Sequence, residues 1–340
     1  MPTTAPAVVQ PAPKSWWRER SVHIALALWI ASFVVVLMMA HGSLPFNRPL
    51  LAKFPYRAQV LVMVFQPVLP LILITVVYLL TRRRAVPDMA ARARDKSVAV
   101  RETLLLWIYG ALVLGVGQLV GRKFFGEGIG LHLNGSLFGA TRVQTPHEVW
   151  FWAGYNFVLY AMVPYLIFRV RGYSREALNL KSTNLRSDTL VIFVVLVLES
   201  AAELAAGGIF KLTGHQLAAG ALLSFTVHLL GTGLPIMIFI YSILMPRYMR
   251  ITGSATTTVL LGALSYAALH IFEYWTVYDS FQHAVLSLLV VAQTFIGPGL
   301  IKSFLTVRTG NAWVHLWAYH AIAPHVTVDT PVVVKIFQIE

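Results

Sequence analysis

The chain has 340 residues, of which 57% are hydrophobic and 12% charged, with a formal net charge of +13 and no cysteine. A soluble domain carries about twice that charged fraction, so the composition is that of a membrane protein. Without cysteine there are no disulfides, thiolate metal sites or cysteine nucleophiles. The basic residues sit in short stretches between apolar runs, a pattern of membrane topology rather than of nucleic-acid binding.

Residues 1–21 read as a Pro/Ala-rich disordered lead that ends on an interfacial anchor of Trp16, Trp17, Arg18 and Arg20. Apolar runs follow at roughly 22–40, 59–80, 103–120, 149–168, 189–209, 219–245, 255–277, 284–305 and 312–328, about nine crossings of a ~30 Å hydrocarbon core. The first run is too long for a signal-peptide core and shows no small-residue cleavage site, so it is expected to remain as a helix. Gly231, Gly233 and Pro235 predict a kink midway through the sixth.

The expected fold class is therefore all-α, a polytopic transmembrane helix bundle, multi-pass in the cell membrane. With the N-terminus in the cytoplasm and the C-terminus outside, 19 of the 27 Lys and Arg fall on the inner side and 8 on the outer. That asymmetry matches the positive-inside rule. The division that follows is a lead over 1–21, N-terminal transmembrane helices over 22–170, a core over 171–329 and a tail over 330–340. The basic segment 81–102 is expected against anionic headgroups or as a topology determinant. The longest outer loop, 121–148, is glycine-rich and holds Glu127, His132, His147 and Glu148; it reads as a lid or simply as a flexible connection.

Five ionisable residues, Glu199, Glu203, His270, Glu273 and His320, lie within apolar runs. Such a residue costs at least ~2.5 kcal/mol at bilayer depth and usually faces a polar interior with a partner. Glu199 and Glu203, four apart among alanines, share a helix face and could share a proton, hold a metal or bond a neighbouring helix. His270 and Glu273, three apart, share another face, the reverse order of the Glu-x-x-His spacing that chelates metals in bundles; Tyr274 and Trp275 suggest an outer-interface place for Glu273. His315, His320 and His325 recur every five residues, a rotation of about 140° on a regular α-helix, so at most two should serve one site. His315 is read as structural. By depth, Glu199, Glu203, His270, His320 and His325 are compatible with one polar chamber, which His228 may be expected to join.

From about Gly172 to Val328 the order of motifs resembles the CPBP family of intramembrane proteases, the CAAX-processing and bacteriocin-processing (Abi) type. Ile243 to Ser254 (ILMPRYMRITGS) resembles the family's basic turn, Tyr266-x-x-x-His270 its Phe-x-x-x-His motif, and Arg308 to Trp313 (RTGNAW) followed by His320 the lead into its last motif. Gly172 to Leu180 is similar to the segment before its core. The chain departs from the pattern in two places. The helix before Pro246 lacks the Glu-Glu-x-x-x-Arg triad, and Pro324 stands where Asn or Asp is usual.

The resemblance implies a peptidase cleaving a membrane-associated peptide or protein, with His270 and His320 aiding water or oxyanion and Glu199 or Glu203, or else Glu273 beside His270, as relocated base. Two rivals are a catalytically silent relative that binds or escorts a membrane partner, and a His/carboxylate metal enzyme acting on a lipid or isoprenoid. The expected cofactor is none or a divalent metal, with His270, Glu273, His320 and His325 as candidate ligands. Expected partners are membrane lipids and the peptide, with no nucleic acid.

Overall fold

The computed structural model of the protein describes residues 16–46, 54–126, 145–204 and 208–340. Glu127 and His132 of the proposed lid, and the Pro/Ala-rich lead up to residue 15, lie outside the described residues. Helix accounts for 78% of the described residues, with no strand among them. In lipid every backbone polar group needs an internal partner, and helices meet that need segment by segment.

In chain order the helices are α1 (Arg20–Met39), α2 (Tyr56–Thr81), α3 (Lys96–Phe125), α4 (Pro146–Val170), α5 (Leu185–Leu204), α6 (Gly214–Thr252), α7 (Ala255–Ala268), α8 (Phe281–Thr309), α9 (312–328) and α10 (Thr330–Ile336). Six of them, α1, α2, α3, α4, α6 and α8, are long and apolar enough to cross a membrane. The protein is thus a multi-pass membrane protein. The other expected spans differ in kind. Helix α5 carries Asp188, Glu199 and Glu203. The expected span 255–277 ends early, because α7 has 14 residues, about 21 Å of rise. Its chain then leaves the helix through turns in which His270 N bonds Ala267 O and Glu273 N bonds His270 O.

Helix α6 is the centre of the bundle: Met237 to Leu244 are all buried. Helix α1 is peripheral, with Val36 its buried residue. The predicted irregularity of α6 takes the form of two π-helical turns, Leu229–Gly233 and Met237–Leu244. Pro235 has no N–H to offer the carbonyl four residues back, Gly231 O, and its ring crowds that carbonyl. Asn156 Nδ2 of α4 donates to Gly231 O instead, at 2.8 Å. Gly231 also admits the Trp152 ring, which would lie 2.2 Å from a Cβ at that position.

Apolar burial gives helices little reason to associate when lipid is equally apolar, so close approach and hydrogen bonding hold them. At the α7–α8 contact a Cβ on Gly299 would lie 2.7 Å from Ala263 Cα. Tyr160 and Tyr155 of α4 donate to the carbonyls of Gly110 (2.6 Å) and Val113 (2.7 Å) of α3.

Buried ion pairs tie the N-terminal helices to the later ones. Glu102 of α3 takes Arg247 Nε at 2.8 Å and Arg171 at 2.8 Å. Arg84 pairs with Asp188, which also accepts from Asn311 Nδ2 at 2.9 Å. Arg92 donates to Asn179 Oδ1 and Gly310 O, each at 2.5 Å, and Arg94 to Arg171 O at 2.6 Å. The 81–102 segment, expected against headgroups or as a topology determinant, therefore directs Arg84 and Arg92 into the protein, while Arg94 bonds Arg171 O at the surface.

Candidate functional site

The site begins with a departure from α-helical geometry in α9. Residues Leu316–His320 and Ala323–Val328 form π turns, and Ala321 N bonds Leu316 O, five residues back. A π turn closes on i to i+5 bonds, so side chains five apart stack on one face. His315, His320 and His325 consequently form a row, with ring centroids 6.3 Å apart for the first pair and 5.3 Å for the second. The expected rotation of about 140° between them assumed 3.6 residues per turn, and the π turns set the three rings in a row instead. All three imidazoles are buried.

Each end of the row meets a different group. His315 packs on Tyr241, ring to ring at 4.0 Å. His325 stacks on His228 of α6, centroids 4.3 Å apart and planes within 10°. Asp329, just past α9, contacts both: His325 Nδ1 is 2.9 Å and His228 Nε2 3.1 Å from its Oδ2. Beside the middle imidazole, Thr232 Oγ1 lies 3.5 Å from His320 Nε2.

A second cluster stands across Tyr266. The Tyr266 ring is 4.6 Å from the ring of His270 and 6.2 Å from that of His320. His270 is stacked on Phe295 at 3.8 Å, and its Nδ1 is 2.7 Å from Glu273 Oε1. Since carboxylate oxygens only accept, Nδ1 carries the proton and Nε2 is the basic nitrogen. Glu273, expected near the interface, is 4% exposed. The dyad forms in the turns after α7, not on one helix face.

Glu199 of α5 lies in the neighbourhood of Tyr319, Lys302 and Glu203, and Glu203 in that of Asp329. Lys302 of α8 is 1% exposed, with Nζ 3.9 Å from the Tyr266 centroid and 5.6 Å from that of Tyr319.

These positions divide the expected residues. The buried carboxylates found beside histidines are Glu273 and Asp329, whereas Glu199 and Glu203, the proposed relocated bases, sit with Tyr319, Lys302 and Asp329. Of the expected ligand set, His270 and Glu273 lie on one side of Tyr266, His320 stands in the row, and His325 joins His228 and Asp329. No group of three or more of these candidate ligands converges among the described residues apart from His228, His325 and Asp329.

No protein-family model, curated protein or solved structure matches the chain. The chemistry must be argued from geometry. A carboxylate-held imidazole in a water-poor core is the arrangement of a general base and its orienting group. A second buried imidazole, His320, stands beyond the tyrosine ring that both histidines touch.

Two residues of this core escaped the sequence reading. Lys302 was counted among the cytoplasmic charges although it falls within the run 284–305, and that position was its available signal. Asp329 was placed one residue past the last span. Its spacing of four from His325 was the available signal there.

Proposed function

We propose that the protein is an intramembrane peptidase of the CPBP-like type, with the His270–Glu273 dyad as its base. The observation that carries this reading is the buried 2.7 Å contact between His270 Nδ1 and Glu273 Oε1, in the Tyr266-x-x-x-His270 motif and across Tyr266 from His320. Glu273 stands in for the missing Glu-Glu-x-x-x-Arg glutamates by acting through the imidazole.

In the reaction, His270 Nε2 takes a proton from water as its oxygen attacks the scissile carbonyl. Glu273 holds the imidazolium that forms. The tetrahedral oxyanion receives a hydrogen bond from His320. His270 then gives its proton to the departing amine as the C–N bond breaks, which restores the dyad. Glu199 and Lys302 sit behind Tyr319 and Tyr266 and set the charge of the chamber.

The same reading keeps about nine crossings, with an inner N-terminus, an outer C-terminus and the plasma membrane as site. The six apolar helices are supplemented by α5, α7 with its following turns, and α9. The substrate is a membrane-associated peptide that reaches the chamber laterally through lipid.

The test is quantitative profiling of new protein N-termini in membranes from cells carrying the wild-type chain, His270→Ala or Glu273→Ala at matched abundance. Termini that depend on His270 and fall by about 10²–10⁴-fold in rate support the reading, since that is the usual worth of a general base. Identical profiles in all three sink it.

A further inference from the structure

We propose that His228, His325 and Asp329 form a binding site for one divalent transition-metal ion of the zinc class. This goes beyond the peptidase reading and does not depend on it.

One nitrogen of each imidazole and one oxygen of the carboxylate lie within 4.8 Å of one another. All three side chains have zero exposure. Ligand atoms bound at about 2.1 Å stand about 3.0 Å apart at right angles and about 3.4 Å apart in a tetrahedron. The separations of 2.9 and 3.1 Å from Asp329 Oδ2 to the two imidazoles lie on either side of the right-angle value. Two imidazoles and a carboxylate are also a donor set that zinc and its neighbours prefer, and three protein ligands leave one position open.

The hydrogen bonds of His228 are the independent argument. Its Nδ1 is 2.7 Å from the backbone carbonyl of Ser224. A carbonyl can only accept, so the Nδ1 proton is committed there. That is the usual arrangement behind a metal-bound histidine, which fixes the tautomer and presents the other nitrogen's lone pair. His228 Nε2 faces Asp329 Oδ2 at 3.1 Å.

The surroundings hold this geometry in place. Ser224 Oγ donates to the His325 carbonyl, linking α6 to α9. His325 and Asp329 are one turn apart, so a single helical segment presents two ligands. Glu203 adds a carboxylate near enough to interact with Asp329. Asp329, sealed from water beside two imidazoles, supplies the negative charge of the site.

The experiment uses the full chain purified in detergent without a histidine tag, stripped with chelator and dialysed against zinc or cobalt(II). Metal content is read by mass spectrometry and the cobalt form by visible absorption. The expected result is about one equivalent per chain, with cobalt bands of an imidazole–carboxylate site. His228→Ala and Asp329→Asn should each weaken zinc binding at least ~10-fold, while His315→Ala, at the far end of the row, should not. A folded wild-type chain that takes up neither ion overturns the proposal without reference to any variant. So does zinc uptake unchanged in His228→Ala and Asp329→Asn. Metal uptake with no His270-dependent cleavage would leave this site standing and remove the peptidase reading.

Discussion

Replacing Glu102 by glutamine tests how the bundle is held together. Glu102 Oε2 takes Arg247 Nε at 2.8 Å, Oε1 takes Arg171 at 2.8 Å, and Tyr173 donates its hydroxyl at 2.9–3.0 Å. Arg247 has zero side-chain exposure, whereas Arg171 is 33% exposed and can turn to water. The Glu102→Gln change therefore leaves one guanidinium buried without its carboxylate, a loss of about 3–5 kcal/mol. The rings of Phe168 and Tyr173, 4.3 and 4.7 Å from the Arg247 guanidinium carbon, remain and hold the loss toward the lower end.

The reverse change, Arg247→Met, leaves Glu102 with Arg171 and Tyr173, so it should cost less, about 1–3 kcal/mol. The double variant should be more stable than the sum of the two losses by about 2 kcal/mol, because it leaves no stranded charge. SDS-driven unfolding in lipid–detergent micelles gives all four corners of the cycle. Additivity within about 0.5 kcal/mol would mean the two groups do not interact, and the account of how α3 is tied to α6 would be wrong.

Two further outcomes are expected from the helix contacts and ends. Gly299→Val would set a Cβ 2.7 Å from Ala263 Cα and 2.9 Å from its carbonyl oxygen; backbone cannot yield there, so a loss of about 1–3 kcal/mol or more is expected. Gly115→Val, with nothing within 4 Å of the new Cβ, should leave thermal unfolding nearly unchanged, and equal losses in the two would refute the contact. Asp95 caps α3 by accepting from Val98 N at 3.0 Å, and hydrogen bonds from Ser97 and Val98 hold its carboxyl below the usual aspartate range. A lowered folded value means the cap's contribution is complete above the ordinary range and fades as pH falls through the lower one. Amide protection at the first turn of α3, referred to the intrinsic exchange rate at each pH, should fall in acid for the wild type, and in Asp95→Ala it should be low at neutral pH as well.

Much of the architecture was legible in the chain because bilayer thickness writes itself into sequence. Runs of about 20 apolar residues announce helices without knowledge of their neighbours. Gly231, Gly233 and Pro235 likewise marked the irregular stretch of α6, since a proline removes an N–H wherever its helix packs. The burial of His270, His320 and Glu199 was readable too, because ionisable groups in apolar runs turn toward partners.

What tertiary structure alone decided is the grouping of those residues. Spacing arguments assume a regular helix, and α9 is not regular: its π turns align His315, His320 and His325, which 3.6 residues per turn would scatter. Glu273 is drawn into the core because α7 stops after Ala268, a stop that neither glycine nor proline announces. Lys302 and Arg247 look like loop charges until Tyr266 and Glu102, far away in the chain, are placed beside them. Helix length and apolarity are local properties that a bilayer imposes on each segment separately. The pairing of buried charges depends on which helices meet, and that is decided only when they pack.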